Sequence, residues 1–340
     1  ADRLEQARSY VASAASAASP STEKTKTEDA VRTCVFDLCS LRDTRDAAAE
    51  LAALEPAALV LNAGAWPTLL EITEDELEAG LQTNHVAQFL LATHLLKNNT
   101  STIRAVASLS SSAHAGVVST ALEALTEDPA WAQRPFDATS SYASTKLLNL
   151  LFAKELAERY SGLDKTVAIH PGVVATDLFR SFDLAGALEA ALPDPLGLAS
   201  TALYRARDVA DNFARPVAKE SLGAFEAIAR QNPLVATAVP VRTARDAARD
   251  VAYALLAPGI PKGAYLAEFG DITEPRVPPA RVAVSSEGTT TGGLAADVWD
   301  WTVGLLRDRG FEDGVDDEVE PSATTSEAED DASAPQSSEG

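Results

Sequence analysis

The stretch Ser140–Tyr160, SSYASTKLLNLLFAKELAERY, decides how this chain reads. Its apolar residues recur at helical spacing, and Tyr142 and Lys146 lie four residues apart, on one side of one helix. An ammonium held there beside a phenol can stabilise the phenolate, drawing a tyrosine pKa of about 10 toward the working range. A tyrosine made acidic in this way can pass a proton to or from a carbonyl or alcohol oxygen. The same spacing also occurs on helices with no catalytic task, as a half-exposed aromatic beside a solvated lysine. The neighbouring segments decide between the two.

Those segments come in a definite order. Ala57–Trp66, AALVLNAGAW, is a short apolar strand closed by Asn62, Ala63 and Gly64. Ile72–Leu96, ITEDELEAGLQTNHVAQFLLATHLL, is an amphipathic helix with Asn84 inside it. Ala105–Gly116, AVASLSSSAHAG, reads as a strand ending in Ser110, Ser111 and Ser112. After the Tyr142 helix, Thr166–Leu178, TVAIHPGVVATDL, is another buried strand running into Pro171, Gly172 and Thr176. The order Asn-Ala-Gly, Asn, Ser, Tyr-x-x-x-Lys, Pro-Gly resembles the short-chain dehydrogenase/reductase superfamily. The wording of residues 147–160 and 170–178 is most similar to its retinol-dehydrogenase-like branch. The resemblance covers residues 1–180 well and 240–310 loosely.

The resemblance implies an α/β, Rossmann-like, doubly wound parallel sheet. It also implies an NAD(P)-dependent oxidoreductase that interconverts an alcohol and a carbonyl by hydride transfer. By resemblance, Tyr142 is the general acid/base, and Lys146 lowers its pKa and bonds the nicotinamide ribose. Ser111 orients the substrate oxygen, with Ser110 or Ser112 as alternative registers, and Asn84 holds a water linking Lys146 to solvent. Asn62, Ala63 and Gly64 support the cofactor, and Pro171, Gly172 and Thr176 shape the nicotinamide pocket. Asp37 and Leu38, at the end of a strand read over Thr33–Leu38, lie beside the adenine or simply make a strand-end turn. Where the family places a second Asn before Asn62, this chain has Leu61.

The chain begins at Ala1, contains no methionine, and has its first glycine at Gly64. Family members open with a strand, a Gly-rich turn and a helix whose N-terminus receives the pyrophosphate. Ala1–Ala17 instead resembles the second helix of such a fold. The expectation is therefore an N-terminally incomplete fold, lacking the first strand, first helix and second strand, about 40 residues, a little over one βαβ unit. Such a piece of a longer product would bind the dinucleotide poorly on its own. The NAD-versus-NADP selector also belongs to the missing part; the resemblance slightly favours NADP.

Composition narrows the rest. With 340 residues, 46% of them hydrophobic, one large α/β domain can bury a core. The net charge of −22 argues against nucleic acid and anionic membrane as partners. Much of that charge lies after Arg309, where the chain carries acids and no Lys or Arg; residues 311–340 read as a disordered tail. Cys34 and Cys39 are not spaced like a zinc or redox motif and read as free buried thiols. The four histidines are scattered, so no metal site is expected. No apolar run reaches the roughly 18 residues of a membrane span. A cytoplasmic protein acting on a small alcohol, aldehyde or ketone is expected, with a homodimer and peripheral membrane association left open.

Residues 1–310 form one domain in this reading, with helices at 2–18, 41–54, 242–256 and 295–309, and strands at 58–61 and 263–269. Residues 113–139 make a long loop, and 179–241 a helical insertion where the family places its substrate loop. A second function class competes: a truncated or inactive relative that holds no dinucleotide and serves as a binding or interaction protein.

Overall fold

The computed structural model describes residues 32–99, 102–117, 119–174, 241–267, 281–282 and 292–312. Its centre is a parallel sheet in the order β1 (Ala58–Leu61), β2 (Ala105–Leu109), β3 (Lys165–Ile169), β6 (Ala264–Ala267), closed by an antiparallel β7 (Arg281–Val282). Register is in step across the three leading strands: Val60 pairs with Ala107, and Ala107 with Val167. Every residue of β2 is buried, as a central parallel strand covered on both faces requires. Two short strands, β4 (Val173–Val174) and β5 (Val241–Arg242), pair in parallel apart from this sheet.

Helices cover both faces. α1 (Leu41–Ala52) packs on α2, which begins at Ala79–Leu81, passes through a π-helical turn at Gln82–Val86, and continues as Ala87–Asn98. α3 (Ser119–Glu127), α4 (Ala138–Arg159) and α6 (Gly292–Arg307) complete that side. The core there centres on Phe89, Phe152 and Trp299, with Phe89 edge-on to the Trp299 ring at 4.6 Å and Phe152 stacked on it at 5.8 Å. α5 (Ala244–Leu256) covers the other face, where Ala107, Leu109, Val167, Ile169 and Leu266 meet Ala254. The result is a Rossmann-like doubly wound sheet.

Local chemistry sets the helix starts. Asp137 accepts from the Thr139 and Ser140 N–H groups at the head of α4, and Thr243 accepts from Asp246 N at the head of α5. α1 starts at Ser40, whose hydroxyl accepts from Asp43 N. α4 is buried on nearly every side, from Tyr142 to Leu156, because it lies between the sheet, α2 and α6.

Three sequence expectations need correcting. Thr33–Leu38 is not a strand: it finds no ladder partner among the described residues, and Val35 is 78% exposed. Residues 113–139 are not a bare loop, since a 3₁₀ turn (Ser112–Gly116) and α3 fold within them; the run STALEALTE is amphipathic enough to dock on α4. Cys34 and Cys39 are free, but half-buried rather than buried. The 2–18 helix, all of the 179–241 insertion but Val241, which lies in β5, and nearly all of the acidic tail lie outside the described residues.

Candidate functional site

The strands β1, β2 and β3 are parallel, so their C-terminal ends open onto one edge of the sheet, the edge where open α/β sheets place their ligands. Three of the predicted segments follow those ends: Asn62–Gly64 after β1, Ser110–Ser112 after β2, and His170–Gly172 after β3. The first turns of α4 bring Tyr142 and Lys146 to the same edge.

Tyr142 is 6% exposed, and the Ser111 side chain is the polar neighbour that draws its phenol's pKa down. Ser111 also starts the 3₁₀ turn, its Oγ accepting from Ala113 N at 3.2 Å. Ser110 is turned elsewhere: its hydroxyl donates to the Lys146 carbonyl at 2.7 Å. Of the three serines, Ser111 is the one that acts on the phenol. Lys146 is 4% exposed; its ammonium donates to the Leu109 carbonyl at 3.1 Å and lies 5.5 Å from the Tyr142 ring centroid. Asn149 donates to that same carbonyl at 3.0 Å.

The electrostatics depart from the sequence expectation. Burial pushes the Tyr142 phenol up to about 12, and the Ser111 hydrogen bond only partly opposes this. Burial also draws the Lys146 ammonium down from 10.5 to about 8. The ammonium therefore does not bring the phenol toward neutrality in this geometry; desolvation outweighs a charge set beside the ring.

Asn84 sits in the π-helical turn of α2, a distortion common at functional sites. Its side chain brackets Ala65, accepting from the N–H at 2.7 Å and donating to the carbonyl at 2.9 Å. It also donates to Thr145 Oγ1, which in turn donates to the Tyr142 carbonyl. Sequence reasoning gave Asn84 a water; the structure commits its side chain to the β1–α2 loop and to α4. Gln88 fastens the same loop by donating to the Ala63 carbonyl at 2.7 Å. Asn62, Ala63 and Gly64 are exposed, and a Cβ on Gly64 would stand 3.4 Å from Lys146 Nζ and 3.5 Å from Asn84 Oδ1. Bare backbone beside a buried ammonium suits the ribose and nicotinamide end of a dinucleotide.

Gly172 takes φ +81°, and an added Cβ would meet Arg242 Cδ at 2.7 Å. Arg242 donates to the Pro171 carbonyl at 3.0 Å and pairs with buried Asp250 at 2.5 Å. Neighbouring His170 is held well below its usual range, at about 4, first by burial and then by His114 and Arg242. Asp37 is exposed and makes an Asx turn, its Oδ1 accepting from Cys39 N at 2.8 Å before α1 begins. Leu38 packs half-buried against the core. Thr176 lies outside the described residues. Sequence reasoning passed over Trp66, stacked on Tyr142 with ring centroids 4.1 Å apart and 3° between planes, although it stands two residues beyond Gly64. It passed over Thr145 and Asn149 as well, both one turn or less from Lys146 on the quoted helix.

The chain is 36% identical over 156 residues to human retinol dehydrogenase 13, a match covering 44% of this chain and 45% of that protein. Mouse retinol dehydrogenase 14 is 34% identical over 151 residues, 43% of each chain. The chain thus spans a little under half the length of the curated relatives it matches. Among solved structures, an uncharacterised protein of Mycobacterium Paratuberculosis aligns with 80% of this chain and 74% of its own at 21% identity and a TM-score of 0.48. No family model matches.

Proposed function

From a chain that belongs to the short-chain dehydrogenase/reductase superfamily, on its retinol-dehydrogenase-like branch, we propose an NAD(P)-dependent oxidoreductase interconverting a small alcohol with its aldehyde or ketone. One observation carries the proposal. A buried phenol with Ser111 as its polar neighbour and a buried ammonium beside it stands at the sheet edge where three strand ends converge.

The nicotinamide cofactor supplies hydride chemistry when bound. Asn62–Gly64, Lys146 and the Pro171–Gly172 turn are the residues that would hold its nicotinamide-ribose end. Tyr142 holds or gives up a proton at its phenolic oxygen, and Ser111 fixes the partner oxygen within hydrogen-bond reach of that proton. Lys146 keeps a positive charge beside the phenol at neutral pH, because its depressed pKa of about 8 still lies above 7. Buried Ser110 and Asn149 hold the Lys146 backbone and the Leu109 carbonyl, so the ammonium has little freedom to wander.

A second reading keeps one specific observation in its favour. Tyr142 is 6% and Lys146 4% exposed, as packing residues would be in a relative that binds a protein partner rather than a dinucleotide. The two readings separate on titration of the chain with reduced NADPH and NADH, followed by fluorescence, and on turnover of both cofactors against a panel of aldehydes and ketones. Saturable cofactor binding with turnover supports the oxidoreductase. Absence of both at millimolar cofactor, in this chain and in one extended upstream by a strand, a Gly-rich turn and a helix, supports the binding protein.

A further inference from the structure

Trp66 lies parallel to the Tyr142 ring, 4.1 Å away and within 3° of its plane. Its indole Nε1 donates to the Ala138 carbonyl at 3.1 Å. Ala138 and Tyr142 are i and i+4 in α4, so that carbonyl also closes the helical turn bearing Tyr142. Trp66 therefore holds the tyrosine twice, by its ring and by its turn. The backbone just before Trp66 is fixed as well, because Asn84 brackets both polar atoms of Ala65. Asn84 reaches Tyr142 a second time through Thr145. The π-helical turn, the β1–α2 loop and the first turns of α4 thus form a closed ring of contacts around one phenol.

We propose that Trp66 is a positioning residue for Tyr142: its indole fixes the plane of the phenol ring and keeps water off one face, which sets the acidity of the hydroxyl. The inference rests on the reading of Tyr142 as the proton-transfer group. The charged and titratable groups on the surrounding elements include Lys146 on α4, Asp137 at the head of α4, turned to the Thr139 and Ser140 N–H groups, His85 in the π-helical turn, turned to Thr302, His114 in the turn after β2, and Glu78 at the head of α2. Glu78 is turned to the Gly80 and Leu81 N–H groups and the Ser141 hydroxyl, and His114 to the Ser111 carbonyl. Burial, not any of these charges, leads the rise of the phenol. An aromatic plate covering a ring face is one such source of burial.

The test separates this role from plain packing and from the activity itself. Trifluorotyrosine placed at position 142, which ionises where the fold survives, is titrated by absorbance in the otherwise unaltered chain and in Trp66→Ala and Trp66→Phe variants. Because desolvation is the leading cause, Trp66→Ala should lower the ionisation midpoint by about one unit or more, while Trp66→Phe, which keeps a plate, should stay within about half a unit. In unlabelled protein, Trp66→Ala should lower kcat about tenfold or more with KM little changed and shift the pH profile of kcat in the same direction, and Trp66→Phe should restore most of the rate. An unmoved midpoint in a folded Trp66→Ala variant overturns the proposal, and so does a loss that falls on KM alone. If the midpoint moves but no variant nor the parent turns over any substrate, Trp66 still tunes Tyr142 and only the oxidoreductase reading fails.

Discussion

Replacing Lys146 by methionine should make the folded chain more stable. Burial holds the Lys146 ammonium down from 10.5 to about 8, a displacement equivalent to about 3 kcal/mol against the protonated form. No carboxylate pairs with it among the described residues to offset this. Methionine fills nearly the same volume without charge, and the Leu109 carbonyl it leaves keeps its bond from Asn149 at 3.0 Å. The gain should depend on pH with a definite sign. Below pH 8 both folded and unfolded chains carry the proton, so the full penalty falls on the parent. Between about 8 and 10.5 the unfolded chain binds the proton that the folded one has released, so parental stability rises with pH. Above 10.5 both forms are neutral and the penalty is gone. Urea unfolding of parent and Lys146→Met at pH 7, 9 and 10.5 should therefore show an advantage of about 2–3 kcal/mol that shrinks steadily, methionine's own packing cost taking the remainder. Equal stability at pH 7, or an advantage that does not change with pH, would refute the placing of an unpaired, desolvated ammonium beside Tyr142. A charge kept at such a cost is what a working site holds and a mere packing site does not.

The remaining predictions concern the scaffold and the turn after β3. Trp299→Ala should destabilise by roughly 3–5 kcal/mol in thermal or urea unfolding, because its ring is 2% exposed and joins α6 to Phe89 and Phe152. Gly172→Ala should cost more than about 1 kcal/mol, since φ +81° and the 2.7 Å approach to Arg242 Cδ both oppose a side chain. Arg242→Met should cost roughly 3–5 kcal/mol at pH 8 by leaving the Asp250 carboxylate buried and unpaired. That loss should ease toward pH 5: the folded Asp250 pKa is already raised by burial, and without Arg242 it rises further, so protonation rescues the folded state from the acid side.

Much of the fold was legible because buried parallel strands leave continuous apolar runs. Ala58–Leu61, an edge strand buried only at Leu61, was still read residue for residue from its apolar run, and α1, α5 and α6 were located to within three residues at each end. Thr33–Leu38 misled because its run of Cys, Val and Phe satisfies a strand's composition, whereas a strand also requires a neighbour to complete its ladder. The Tyr142–Lys146 pair was legible through helical spacing alone. The serine register was not, since three adjacent hydroxyls are chemically equal in sequence and only the strand's end geometry turns Ser111 to the phenol and Ser110 to the Lys146 carbonyl. The π-helical turn at Gln82–Val86 is a backbone choice with no composition signature, so the grip of Asn84 on Ala65 could not be foreseen. Trp66 was visible but mute, because stacking across 76 positions depends on how the β1–α2 loop folds back on α4. The direction of the Tyr142 shift was misjudged for a related reason: spacing reveals the charge, while desolvation is known only once the burial is.

The central claim is that the Tyr142 phenol moves the proton in a carbonyl–alcohol interconversion. It is tested most directly by comparing the chain with its Tyr142→Phe variant, following reduced-nicotinamide absorbance at millimolar cofactor with aldehydes and ketones. Phenylalanine keeps the ring under Trp66 and removes only the hydroxyl, so cofactor affinity should change less than about threefold while kcat falls about 10²–10⁴-fold, the usual worth of a general acid/base. A Tyr142→Phe variant that retains most of the parent's rate on any substrate the parent reduces would contradict the account.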